Sequence, residues 1–268
     1  MDLDRMSLNS MTVRGVGLAD LIRLSRDRDI PAIAPWRDLI ADVGLPAAAR
    51  MIRASGLRVS SLCRGGMFTH EANEDGHRAL IDNRRAVDEA YEIGAECLVL
   101  VCGPVTQGSP RDSLEVIRDA VGELSEYASR AGVRLAIEPL HPMLAANRSA
   151  LCTVSQAREI LARIASPVTG ICIDVYHVWW DPEALDAIPD LADAIFGFHV
   201  SDWTLPINGE LESRGMMGDG CIDLHGWARA VYGAGYTGFA EVEVLSAHWW
   251  SLPPEVVVDT AVERFLAI

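Results

Sequence analysis

Short apolar, β-rich runs recur along the chain, and before many of them apolar residues return every three or four positions. Four of these junctions share one form: a helix-patterned stretch ends in glycine and a strand-like run follows. MIRASG leads to LRVSSLC, AVDEAYEIG to AECLVLVCG, LSEYASRAG to VRLAIEP, and RAVYGAG to YTGFAEVEV. Gly56, Gly94, Gly132 and Gly235 thus fall where a helix C-cap calls for a left-handed residue. The runs predict eight strands, near 6–9, 30–35, 57–62, 96–102, 134–138, 169–174, 195–200 and 239–244. Helices are predicted near 18–28, 46–55, 77–93, 113–131, 155–165, 183–193 and 223–233, and from about 254 to the end. Short apolar strands alternating with helices indicate a parallel sheet. Eight such units predict an α/β fold, one (β/α)8 barrel domain over residues 1–268. An open doubly wound sheet is the other arrangement of this pattern, but no G-x-G-x-x-G follows the first strand.

Composition narrows the chemistry. Half of the residues are hydrophobic, enough for one large core. No cleavable leader pattern opens the sequence and no apolar run reaches membrane-spanning length, so a soluble, cytoplasmic protein is expected. The six cysteines form no C-x-x-C pair and read as reduced core residues. A net charge of -15 argues against nucleic acid or anionic membranes as partners. All 23 basic residues are arginine. Without a lysine, chemistry through an internal Schiff base, a pyridoxal-binding lysine or a P-loop lysine is excluded.

In a (β/α)8 barrel the reacting groups stand at the C-terminal strand ends. His70, His141, His177, His199 and His248 collect there, as do Trp36, Trp179, Trp180, Trp203, Trp249 and Trp250; only Trp227 falls on a predicted helix. Such tryptophans either plug the barrel mouth or stack against the C–H faces of a sugar, the role assigned to Trp36, Trp179 and Trp203. The floor is more specific. The fifth strand ends in Glu138, the sixth in Asp174 with His177 three residues on, and the seventh carries His199 and then Asp202. The eighth carries Glu241 and Glu243 at period-two spacing, hence on one face. Carboxylates inside a barrel are costly unless paired or bound to a metal. Three carboxylates and an imidazole on four consecutive strands suit a fairly hard divalent ion, Mn²⁺ first, with Mg²⁺ or Co²⁺ next. A network paired to arginine, with Arg134 or Arg214, is the alternative.

These motifs resemble the xylose-isomerase-like TIM barrels, which include ketose 3-epimerases and inosose dehydratases and isomerases. The carriers are LAIEPL, GICIDVYH, GFHVSD and GYTGFAEVEV. The resemblance implies Glu138, Asp174, His199 and Glu243 as metal ligands, with Glu241 their neighbour. It also implies His177 and Arg214 as substrate contacts. The implied activity is isomerisation or epimerisation of a keto-sugar or cyclitol: a proton is taken alpha to a metal-bound carbonyl, with Glu138 and Glu243 as the acid/base pair. YHVWWDP, RGMMGDGCIDL and His141 depart from the ketohexose epimerases and are closer to C-glycoside deglycosidases acting on 3-keto-glycosides. That leaves a lyase as the alternative, inosose-dehydratase-like elimination included, with His141 as an extra base near neutrality. A non-catalytic sugar-binding barrel is the remote alternative. Asp219 would repel a phosphate at GMMGDG, so an uncharged small carbohydrate is expected. A homo-oligomer or a small companion subunit stays open.

Overall fold

The alternation read from the sequence is built as a nearly closed barrel. The computed structural model describes the chain except residues 70–73, 107, 208 and 211 and the side chains of 74–78, so His70 lies outside the described residues. Its strands are β1 (Met6–Asn9), β2 (Ala32–Ala34), β3 (Arg58–Val59), β4 (Leu62–Gly66), β5 (Leu98–Val101), β6 (Leu135–Ile137), β7 (Thr169–Asp174), β8 (Ile195–Val200), β9 (Asp202–Trp203), β10 (Arg214–Gly215) and β11 (Ala240–Val242). Nine of them form one sheet in the order β3-β2-β1-β11-β8-β7-β6-β5-β4, every pair parallel. β3 and β4 are two halves of one run: the first pairs with β2 and the second with β5. Taken together they make the third of eight barrel strands. The sequence placed that strand at 57–62; it runs on to Gly66, through two glycines that weaken the strand signal. At Gly66 a Cβ would lie 2.0 Å from the Val101 carbonyl oxygen, so only glycine allows this approach to β5.

The helices are α1 (Leu18–Arg26), α2 (Arg37–Val43), α3 (Leu45–Ser55), α4 (Glu74–Ile93), α5 (Pro110–Ala131), α6 (Val154–Ile164), α7 (Val175–Val178), α8 (Ala184–Ala187), α9 (Leu224–Gly233), α10 (Ala247–Trp250) and α11 (Pro254–Leu266). Their ends follow capping chemistry. Ser109 with Asp112 and Thr153 with Gln156 form capping boxes at α5 and α6, and Gly132 closes α5 at φ 73°. The predicted helix at 183–193 is α8 followed by a 3-10 turn over Ile188–Ala194, where Pro189 cannot donate to a continuing α-helix.

β7 and β8 are buried at every residue, as parallel strands covered on both faces must be. Outside the sheet, the main core packs strand residues such as Leu8, Ile33 and Ile173 against the helices. Inside it, Cys63, Cys97, Val99, Ala136, Cys172 and Phe196 form a small plug. This inner layer closes the barrel from below and lifts the polar strand ends to its upper mouth. The cysteines are unpaired, five of them buried and Cys221 exposed. No described helix is long and apolar enough to cross a membrane.

Candidate active site

Four strand ends deliver four ligand-type side chains to one point. Glu138 follows β6, Asp174 ends β7, His199 lies in β8 and Glu243 follows β11. One donor atom from each lies within 4.8 Å of every other, and all four residues are buried. His199 Nδ1 stands 3.5 Å from Glu138 Oε1 and 3.7 Å from Glu243 Oε2. These separations are long for hydrogen bonds. They match the roughly 3.4 Å between two ligands that each reach a common tetrahedral ion at about 2.1 Å. Both His199 ring nitrogens are buried without a hydrogen-bond partner among the described residues, which a protein avoids unless something else binds there.

Burial and proximity strongly shift Glu138, Glu243 and the His199 imidazole. Burial pushes Glu138 up to about 7, against the pull of His199. Burial would lower His199, but Cys172 and Glu241 outweigh it and hold the imidazole well above its ordinary value. Burial would raise Glu243, but Arg214 and His199 hold it at about 2. Arg214, 3% exposed, brings a guanidinium into the cluster: its Nη1 lies 2.8 Å from Asp174 Oδ2 and 3.2 Å from Glu243 Oε2. Part of the arginine-paired alternative is therefore real: Arg214 pairs with Asp174 and Glu243, while Glu138 faces the His199 imidazole. Arg134 is elsewhere, reaching the Glu96 carbonyl on the exposed side of the barrel.

Several neighbours hold this cluster in place. Asn9, at the end of β1, donates through Nδ2 to Glu241 Oε1 at 2.6 Å and to Glu243 Oε1 at 3.0 Å. Ser60 and Ser61 donate to Glu241 Oε2 at 2.9 and 2.8 Å. Glu241 is thus satisfied by hydroxyls and an amide and faces His199 Nε2 at 3.5 Å, while Glu243 lies on the Nδ1 side with Glu138. Asp174 Oδ1 caps α7 by accepting from the Tyr176 amide at 2.9 Å. Asn9 escaped the sequence reading, although a polar residue ending the first strand was a usable signal. Asp202, three residues after His199, holds the next loop. It accepts from the amides of Trp203 and Ile222 through Oδ1 and from those of Gly218 and Gly220 through Oδ2, all at 2.8–3.0 Å. The Gly218 and Gly220 amides are therefore turned onto a carboxylate of the chain itself. A Cβ at Gly220 would lie 2.1 Å from the Trp203 carbonyl oxygen, so this turn needs glycine.

Above the cluster opens a pocket of about 220 Å³. Glu138, His177, Arg214 and Glu243 line its floor, and Trp36, Leu140 and Trp250 part of its wall. His177 Nε2 accepts from Arg214 Nη2 at 3.1 Å, which puts the ring proton on Nδ1. Burial lowers His177 to about 3, against Asp174, so the ring is neutral. Trp36 stands on the pocket; Trp179 and Trp203 do not line it. They pack together at 5.4 Å between ring centroids, with Tyr176 4.8 Å from Trp203. His141 does not line the pocket either. Its ring lies 4.8 Å from that of Trp203, its Nδ1 accepts from the Met143 amide at 3.2 Å, and burial lowers its pKa.

The family model described as xylose isomerase-like TIM barrel matches residues 22–268. The chain belongs to this family. It is 28% identical over 207 residues to inosose isomerase of Halalkalibacterium halodurans, covering 73% of this chain and 70% of that protein. It is 26% identical over 185 residues to fructoselysine 3-epimerase of Shigella flexneri, a match that takes in 68% of this chain but only 64% of the epimerase's length. Among solved structures, protein SMc04130 of Sinorhizobium meliloti 1021 superposes with a TM-score of 0.96 at 43% identity, covering 99% of this chain and 98% of that one. An IOLI protein with a bound zinc atom shares the fold, with a TM-score of 0.87 at 19% identity over 98% of this chain and 97% of that one. The family members with a named activity here act as sugar isomerases or epimerases.

Proposed function

We propose that the chain is a divalent-metal-dependent isomerase or epimerase of a small keto-sugar or cyclitol. One observation carries this reading: the buried convergence of Glu138, Asp174, His199 and Glu243 at the floor of a small pocket. Those four residues would hold the ion, Mn²⁺, Mg²⁺ and Co²⁺ being the candidates from their oxygen-rich donors. The zinc in the related IOLI fold supports a divalent ion without choosing among them. When bound, such an ion polarises a carbonyl and acidifies the neighbouring C–H.

The chain's own groups do the rest. Glu138 and Glu243 reach the pocket from strands separated by two others, β7 and β8. One carboxylate takes the proton from carbon and the other returns it to the opposite face, giving an epimer; return to the adjacent carbon gives an isomer. Neutral His177 and the Arg214 guanidinium orient substrate oxygens at the floor. The small volume admits a monosaccharide-sized molecule, since it is below the roughly 300–1,000 Å³ of drug-sized pockets. Trp36 and Trp250 exclude water and offer flat faces to a sugar ring.

The test is deuterium exchange. Metal-supplemented protein is incubated in D₂O with ketoses and inososes, and incorporation at the carbon alpha to the carbonyl is followed by NMR. Exchange is expected with at least one of them and is expected to vanish in Glu138→Gln. Absence of exchange into every candidate would remove the proton-transfer reading.

A further inference from the structure

Arg148 carries a charge that no group in the described structure neutralises. Its carbonyl accepts from the Gly103 amide at 3.0 Å, and Gly103 bridges to Ser149, so its backbone is tied to the end of β5. Its half-buried side chain lines the pocket. Among the described residues its guanidinium has no ion-pair or hydrogen-bond partner. Holding a long cationic side chain half-desolvated without a partner is unfavourable. Arg64, in β4, brings a second guanidinium to the same pocket.

The pocket's acids are already committed. Glu138 and Glu243 belong to the metal-type cluster and face Arg214, while Glu212 pairs with Arg14 at 3.3 Å. Arg14 itself is exposed and stacks on Trp250, 4.6 Å from the ring centroid. In a chain with 38 acidic and 23 basic residues, this leaves the guanidinium groups of Arg148 and Arg64 in a pocket whose floor is acidic.

We propose that the pocket takes a keto-sugar or cyclitol derivative bearing an anionic group, carboxylate or phosphate, which Arg148 and Arg64 hold. This rests on the reading of the four-residue cluster as the reacting end. The substrate then lies between two poles, with its carbonyl end toward Glu138, Asp174, His199 and Glu243 and its anion toward Arg148. A guanidinium fork matches either oxyanion. This departs from the uncharged substrate expected from the sequence. The lack of lysine removes one kind of phosphate contact, and Asp202 occupies the glycine loop, but neither bears on a site made of arginine.

The test is calorimetric binding of three matched polyols that have no carbonyl and cannot react: glucitol, gluconate and glucitol 6-phosphate. One anionic ligand is expected to bind at least about tenfold more tightly than glucitol, the size of one charged hydrogen-bonded contact. Whichever arm wins assigns the anion as carboxylate or phosphate. In Arg148→Gln the preference should fall to within about threefold, Arg148→Lys should keep part of it, and Arg64→Gln should reduce it independently. Equal binding of all three, no binding of either anion, or an equal loss for glucitol and the anions in Arg148→Gln would each overturn the proposal. Proton exchange with uncharged ketoses alongside no anion preference would sink this inference and leave the isomerase reading standing.

Discussion

At the scale of single residues, the candidate site is a problem in buried charge. Glu138, Asp174, Glu241 and Glu243 are each at most 5% exposed, and the groups around them differ in kind. Glu241 receives three hydrogen bonds from Asn9, Ser60 and Ser61 and needs no ion. Glu138, Asp174 and Glu243 share one guanidinium and an imidazole. Removing Asn9 frees Glu241 and Glu243 together: Asn9→Ala is expected to destabilise by about 1–3 kcal/mol, the cost of an unsatisfied buried polar group, in denaturant unfolding. The same change should weaken metal binding; an unchanged affinity would mean that Asn9 only fills space. His141 is expected to behave differently. Its ring stacks on Trp203 and takes a backbone amide, so His141→Ala should lower the melting temperature while proton exchange stays within about threefold of wild type. A loss of elimination activity alone in that variant would restore the extra-base role and with it the lyase alternative.

At the scale of elements, two devices position the mouth of the barrel. Asp202 gathers the loop after β8 by accepting four amides, and the strand pair β9–β10 that it opens carries Arg214 into the cluster. Asp202→Ala leaves those amides without their acceptor and should cost about 3 kcal/mol or more, with loss of exchange activity because Arg214 is no longer held. Unfolding midpoints and exchange rates together check this; a stable variant with full activity would show that the loop holds itself. The second device is Arg37 of α2, bidentate to Asp82 at 2.8 Å and bonded to Glu89 at 2.6 Å, which ties α2 to α4. Arg37 hydrogen bonds hold Asp82 below its ordinary value of 3.8. A depressed carboxylate stabilises the fold above its unfolded pKa and loses that contribution as pH falls through the folded one. The difference in melting temperature between wild type and Asp82→Asn should therefore be full near neutrality and shrink below about pH 4. A pH-independent difference would assign the effect to packing. The sequence reading missed α2 for a physical reason: it has seven residues, no side-chain cap at Trp36, and runs straight into α3 through Gly44. α7 was missed for another. It is one turn long and its cap is Asp174, already read as a ligand.

At the scale of the whole molecule, the sequence made the barrel legible because its periodicities are local. Each strand–helix unit declares itself locally, four of them through a glycine at the junction, and eight such units leave little choice of topology. The four ligand-type residues were legible for the same reason, since their strand ends are fixed by the apolar runs before them. What was not legible depends on distant segments meeting. Asn9 spanning Glu241 and Glu243 and Arg148 turned into the pocket join parts of the chain far apart in sequence; Arg214 was named from the sequence as a pairing arginine and substrate contact, but its place between Asp174 and Glu243 comes only with the fold. The tryptophans show the limit from the other side. Composition could not tell Trp36 on the pocket from Trp179 and Trp203 packed on each other, nor that Trp249 and Trp250 lie in the short helix α10.

The claim on which the rest depends is that Glu138, Asp174, His199 and Glu243 hold one divalent ion, and it can be read without any substrate. Chelator-stripped protein is titrated with Mn²⁺ and Co²⁺ in a calorimeter, and thermal unfolding is followed at each ratio. One ion per chain is expected, with a rise in stability of about 2.7 kcal/mol at a free concentration one hundred times the dissociation constant. Both effects should be absent in His199→Gln, which keeps a similar shape but lacks the imidazole ligand. Calorimetry with no binding and a melting temperature unmoved by either ion would contradict the metal site, and with it the proposed chemistry.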